Sequence, residues 1–189
     1  MSVMPRPKLQ SDEAVLDAAS VTLLERGLGD FTLSDVAERV GLSRAAIIQR
    51  FGNKDELLRR IARREVVLTR AYMDSFAVTA GWDGLRDFLR TIIDSMGPGE
   101  DFTVRAQLAW AESVDPELRD LAGQRYRLVQ EAIALRLPDT ITHRADTAAF
   151  LHAVIAGATM QWLAEDHPDL AHYVNARVDV ALAILRAAG

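Results

Sequence analysis

Residues Phe31–Leu58 read FTLSDVAERVGLSRAAIIQRFGNKDELL, and their spacing predicts two short helices, a tight turn between them, and the start of a third. Thr32 is a good N-cap, and Asp35 three residues on can close a capping box with it. Leu33, Val36, Ala37 and Val40 fall at i, i+3, i+4 and i+7, the apolar stripe of an amphipathic helix. Gly41 stands where a left-handed C-terminal residue is wanted. Ser43 caps again almost at once, which is the spacing of a helix-turn-helix. Ile47 and Phe51 are the inward residues of the second helix, leaving Arg44, Ala45, Ile48, Gln49 and Arg50 on or near its outer face.

That outer face has the chemistry duplex DNA asks for. A recognition helix points its N-terminal residues at base edges in the major groove. Arg44, just after the cap, can pair bidentately with guanine, and Gln49 can address adenine or a phosphate. Ala45 and Ala46 are small enough for close approach. Lys54 sits between the cap Asn53 and Glu56, where a cation opposes the helix dipole. That placement points to a phosphate contact; a solvated loop lysine is the plain alternative.

On these residues the stretch resembles the DNA-binding domain of the TetR family of transcriptional regulators. Thr32 opens the second helix, Ala37 and Gly41-Leu42-Ser43 form the turn, the aromatic Phe51 ends the recognition helix, and Lys54 opens the fourth. Ile48 and Arg50 depart from the family, which usually has Tyr at the first position and often His or Tyr at the second. The resemblance implies DNA contacts from Thr32, Ser43, Arg44, Ala45, Ile48, Gln49, Arg50 and Lys54. Ile48 cannot donate a hydrogen bond and would pack on sugar or a thymine methyl.

The bounds of the chain agree with an intracellular regulator. Its 189 residues suffice for one large domain or two modest ones. The start lacks a secretory hydrophobic segment, and His152 and Gln161 interrupt the most apolar run, so no membrane span is expected and the cytoplasm is the default. With no cysteine there are no disulfides and no thiolate-held zinc. The net charge of −5 is unevenly spread. Residues 1–64 carry eleven Lys+Arg against nine Asp+Glu, a net +2, and the remainder eleven against eighteen, a net −7. A mildly basic head on an acidic body fits contact with DNA through one end.

In chain order, Arg6 and Lys8 lie in an arm that either rests on DNA or frays. A helix capped by Ser11 should run to about Arg26 and stop at Gly27, its Leu16, Ala19 and Leu23 closing a three-helix core. The fourth helix should run from Lys54 to about Val78. Further helices are expected at about Trp82–Met96, Phe102–Val114, Pro116–Leu137, His143–Glu165 and Pro168–Ala187, with no strand or repeat. The fold class is therefore all-α with about nine helices. A helix-turn-helix DNA-binding domain spans 1–53, and a regulatory, ligand-binding and dimerisation domain spans 54–189.

Two further features belong to that second domain. The helix around Thr147–Leu163 is apolar nearly all round, and the last helix repeats apolar residues at helical spacing. The pair reads as half of a four-helix bundle between two subunits, with Leu151, Ile155, Ala158, Trp162, Val174, Val178 and Leu182 at the interface; burial within the monomer is the alternative. The resemblance implies an effector cavity in the body. Its candidate liners are Met73, Phe88, Ile92, Met96, Gln107, Trp110, Tyr126, Val129, His152 and Met160, each also explicable as plain core. A small, mostly apolar or aromatic effector is expected.

Catalysis is not. G-x-S-x-G, H-E-x-x-H and a phosphate-binding glycine loop are all missing from the sequence, and His167 and His172 straddle Pro168 at a spacing unsuited to a helical metal site. No cofactor is expected. The reading is a homodimeric transcriptional regulator, a repressor released from a palindromic operator when a small molecule binds. An activator is the rival, or a helical interaction module whose helix-turn-helix is merely structural.

Overall fold

The computed structural model describes residues 10–188 apart from Pro98, Glu100, Asp101 and Asp166. Arg6 and Lys8 of the proposed arm lie outside the described residues. Among those described there are nine helices and no strand: α1 Asp12–Asp30, α2 Leu33–Val40, α3 Arg44–Phe51, α4 Lys54–Asp74, α5 Trp82–Asp94, α6 Phe102–Val114, α7 Pro116–Arg136, α8 Arg144–Trp162 and α9 Leu170–Ala188. The chain forms two compact units, Met1–Arg63 and Arg64–Gly189.

The first unit is built on local capping. Ser11 Oγ accepts from Ala14 N at 3.1 Å to open α1. Thr32 and Asp35 close a reciprocal capping box on α2. Gly41 ends α2 in the left-handed conformation at φ 68°, its N–H returning to Ala37 and Glu38, and Ser43 Oγ accepts from Ala46 N at 3.1 Å to start α3. Val15, Ala19, Leu23, Phe31, Val36, Ile47, Phe51 and Leu57 are buried beneath these helices. At about 25 cal/mol per Å² of apolar surface, this packing is what holds such short helices in place.

One boundary here differs from expectation. The first helical run stops at Gly27 as expected, but a further turn to Asp30 follows the break. Gly27 leaves the helical path at φ 76° and ψ 163°, and Phe31 N then bonds Gly27 O at 3.0 Å. A glycine bend with one further turn replaces a clean end, which brings Phe31 fully into the core.

The second unit packs α5, α7, α8 and α9 around Leu85, Leu89, Ile93, Ile133, Leu151, Ile155, Leu170, Val174 and Val178. Pro116 is a first-turn proline, and Asp115 caps α7 through Glu117 N and Leu118 N at 2.9 and 3.1 Å. Arg86 reaches from α5 to Asp179 of α9 with two hydrogen bonds of 2.9 and 3.0 Å. α4 ends at Asp74, not near Val78. The Arg136 guanidinium, itself buried, takes the carbonyls of Phe76 and Ala77 at 3.0 and 2.8 Å, and these are the groups a longer helix would need. α9 begins at Leu170, two residues after the expected Pro168, because Asp169 caps it, its Oδ1 accepting from His172 N at 2.9 Å. No helix among the described residues is long and apolar enough to cross a membrane.

Candidate nucleic-acid interface and ligand cavity

The outer side of α3 is open. Ser43, Arg44, Ala45, Ile48 and Gln49 are exposed, with Ile48 at 38%, while Ile47 and Phe51 are buried beneath them. The local cause is the Gly41-Leu42-Ser43 turn, which restarts the helix at once and fixes which face Ile47 buries. Thr32, Arg44, Ile48, Asn53 and Lys54 border one open groove of about 460 Å³ in this unit.

The remaining residues expected at the DNA already have partners inside the unit. Thr32 is exposed, but its hydroxyl donates to Asp35 Oδ2 at 2.6 Å. That hydrogen bond holds the Asp35 carboxyl below its usual range, with the Arg26 charge adding to the effect. Arg50 turns towards α1, Nε donating to Asp12 Oδ1 at 3.0 Å, and lies 5.4 Å from the Phe51 ring centroid. Lys54 Nζ donates to the Leu28 carbonyl at 2.7 Å and sits 5.7 Å from the Phe31 ring. An ammonium has three donors, so this bond orients Lys54 and leaves donors for an anion. Among the described residues, Arg44 has no ion pair.

Sequence reasoning missed the acidic partners. Glu56 meets Arg59, Arg60 and Arg63 at 3.7, 3.7 and 3.0 Å. The Arg63 hydrogen bond, with the three arginine charges, keeps its carboxyl ionised below the ordinary glutamate range. The basic cluster after Lys54 is thus partly neutralised from within. The i, i+3 and i, i+4 spacing of Glu56 to Arg59 and Arg60 was the available signal.

In the second unit, five of the expected liners, Met73, Ile92, Met96, Val129 and His152, border a common cavity of about 320 Å³. Tyr72, Ser95, Gly99, Phe102, Arg105 and Ile155 complete it. Burial pushes the His152 imidazole below its usual pKa, so it is neutral near pH 7. Its Nδ1 lies 3.5 Å from Gln130 Nε2, and its ring meets Tyr126 edge-on at 5.3 Å.

Five expected liners are elsewhere. Phe88 is core, with the Arg136 guanidinium 4.0 Å from its ring centroid. Gln107, Trp110, Tyr126 and Met160 are exposed, Trp110 to 71% and Met160 to 52%. For Gln107 and Trp110 the reason is that α6 packs on α7 and has no buried residue at all. Its two ends therefore face differently, Phe102 and Arg105 towards the cavity and Trp110 outward.

The expected interface residues are corrected in the same way. Leu151, Ile155, Ala158, Val174, Val178 and Leu182 are buried within the single chain and Trp162 is half-buried, because α8 and α9 pack on each other and on α7 and α5. The apolar residues these helices leave outside are Phe150, Met160, Val180 and Ile184.

The comparisons with known proteins bear on the same two units. Residues 15–61, from α1 into the start of α4, match the family model described as bacterial regulatory proteins, tetR family. Over those residues the chain carries the signature of the TetR-family DNA-binding domain. It is a DNA-binding transcriptional regulator. It is 26% identical over 138 residues to the HTH-type transcriptional repressor AcnR of Corynebacterium efficiens, covering 72% of this chain and 70% of that one. It is 30% identical over 114 residues to the HTH-type transcriptional regulator BetI of Stenotrophomonas maltophilia, covering 58% of each. The fold is that of a transcriptional regulator from Rhodococcus sp. Rha1, with TM-score 0.75, 18% identity, and coverage of 95% of this chain and 97% of that one.

Proposed function

We propose that this TetR-family chain is a cytoplasmic, homodimeric repressor that leaves a palindromic operator when a small, largely apolar molecule enters the body cavity. The observation that carries the DNA half is the exposed face of α3, with Arg44, Ala45, Ile48 and Gln49 outward over buried Ile47 and Phe51. Arg44 addresses guanine, Gln49 adenine or phosphate, and Ile48 a methyl or sugar. Thr32, Ser43 and Lys54 serve the phosphates alongside their internal bonds. We place the functional boundary at the start of α4, with 1–53 reading DNA and 54–189 regulating it. That AcnR is named a repressor favours repression over activation.

The dimer surface we propose is the outward stripe of α8 and α9. Phe150, Ala153, Gly157 and Met160 recur at i, i+3, i+7 and i+10, and Val180 and Ile184 at i, i+4, all exposed in the single chain. A Cβ built on Gly157 meets nothing within 4 Å, which suits close helix approach. A two-fold pair carries two recognition helices about 34 Å apart, one per major groove. Effector binding then works by favouring a state in which α4 holds the heads at another spacing.

A gel-shift with DNA from beside its own gene tests the reading. Sequence-specific, salt-steep binding is expected. Arg44→Ala should weaken it by about 1–3 kcal/mol and relax one base position. Binding indifferent to sequence, or an unchanged preference in Arg44→Ala, overturns the assignment of this face. Light scattering tests the dimer, since Val180→Glu with Met160→Glu should yield monomers.

A further inference from the structure

The body cavity is chemically lopsided. Its deep lining is apolar, with Met73, Ile92 and Ile155 buried and Phe102 half-buried. Ser95 lines it too, but its hydroxyl already donates to the Ile92 carbonyl at 2.7 Å. His152 is held neutral by burial. Its Nδ1 faces the amide nitrogen of Gln130 at 3.5 Å, and with Nδ1 accepting there, the ring proton falls on Nε2, a donor. Arg105 is exposed and is the only charged group among the described lining residues. A guanidinium at the mouth keeps its hydration when the cavity is empty and gives two parallel donors when an anion arrives.

We infer that the effector is an amphipathic monocarboxylic acid, its apolar body packed among Met73, Ile92, Phe102 and Ile155 and its carboxylate held at the mouth by Arg105. The inference rests on the reading of this cavity as the effector site. The volume sets the size. At roughly 30 Å³ per water-sized group, 320 Å³ takes about ten non-hydrogen atoms, the scale of an arylalkanoate or a medium-chain fatty acid. The polarity of the site sets the head group. An amine placed at the mouth meets the Arg105 cation, and an amide meets it with half the acceptor capacity and no charge.

The test is isothermal titration of the full-length protein with 3-phenylpropanoate, octanoate, 3-phenylpropanamide and 3-phenylpropylamine. At least one of the two acids should bind once per chain, which of them binds more tightly separating an aromatic from an aliphatic body. The amide should bind about tenfold more weakly than its acid, and the amine should not bind. Arg105→Gln should bring the acid down to the affinity of the amide while leaving the amide unchanged, which shows the cavity intact. Equal binding of acid and amide, preference for the amine, an Arg105→Gln protein that binds acid normally, or no binding by either acid overturns the proposal. The repressor reading fails separately. It is sunk by a protein that ignores DNA sequence, whatever the acids do, and it survives if a neutral or cationic compound releases the operator.

Discussion

The two units of this chain are built on opposite plans. In the first, helices as short as eight residues are each capped by a side chain and pinned by a fully buried residue, Val15, Val36, Ile47 or Leu57. In the second, longer helices enclose a cavity, and α6 contributes no buried residue. The contrast fits the functions proposed for the two units. Base edges are read by groups held to within a fraction of an ångström, which demands a stiff backing. A small molecule must displace something to enter, which demands a loosely held wall.

Phe51→Ala should break the stiff unit most severely. It removes a ring that is 1% exposed from beneath the recognition helix, at a cost of about 3–5 kcal/mol in denaturant unfolding. Phe102→Ala, on the half-buried start of α6, should cost far less. Similar losses in the two variants would erase the distinction between the units.

Arg136→Met tests whether the second unit has a rigid part of its own. Without the guanidinium, the Phe76 and Ala77 carbonyls lose their donor, for about 1–3 kcal/mol of stability. Hydrogen exchange should localise the loosening to residues 75–81, and exchange unchanged there would show that the clamp is idle.

Arg50→Ala asks how self-contained the reading unit is. Its pair with Asp12 is solvent-screened, so stability should drop by less than about 1 kcal/mol. If Arg50 serves only α1, operator affinity stays put; a uniform fall across sequences would put Arg50 on the phosphates after all.

The smallest expected effect is in pH. All four histidines, His143, His152, His167 and His172, lie in the second unit. His152 has its pKa lowered by burial from 6.5, so below that pH the unfolded chain takes up a proton the native site refuses, and stability falls as pH falls. Lowered Asp35 and Glu56 in the first unit act the same way only at more acid pH, where the unfolded carboxyls protonate first. Thermal midpoints between pH 7.5 and 5.5 should therefore decline, and His152→Gln should flatten the decline. A slope unaltered by that substitution would detach it from the cavity.

Much of the reading unit was legible beforehand because its determinants are local. A cap, a capping-box partner three residues on, a glycine and a second cap are all written within a dozen residues. Burial of Ile47 under an exposed Arg44 follows from their spacing. The pairing of Arg50 was not legible because its partner, Asp12, is 38 residues away in sequence. The cavity was legible only in part for the same reason. Met73, Ile92, Met96 and His152 announced themselves as large or polar groups in apolar stretches, but nothing near Arg105 in the sequence separates it from any solvated arginine.

By itself, then, the sequence determined the helices and the turn that makes a reading head, since each is written in residues close along the chain. The tertiary structure decided which apolar face of α8 and α9 turns inward, where α4 stops, and that Arg105 is the charged residue among the described ones lining the cavity. Those outcomes depend on which distant helices meet, and a helix apolar on two sides carries no local mark of which side its own chain will cover.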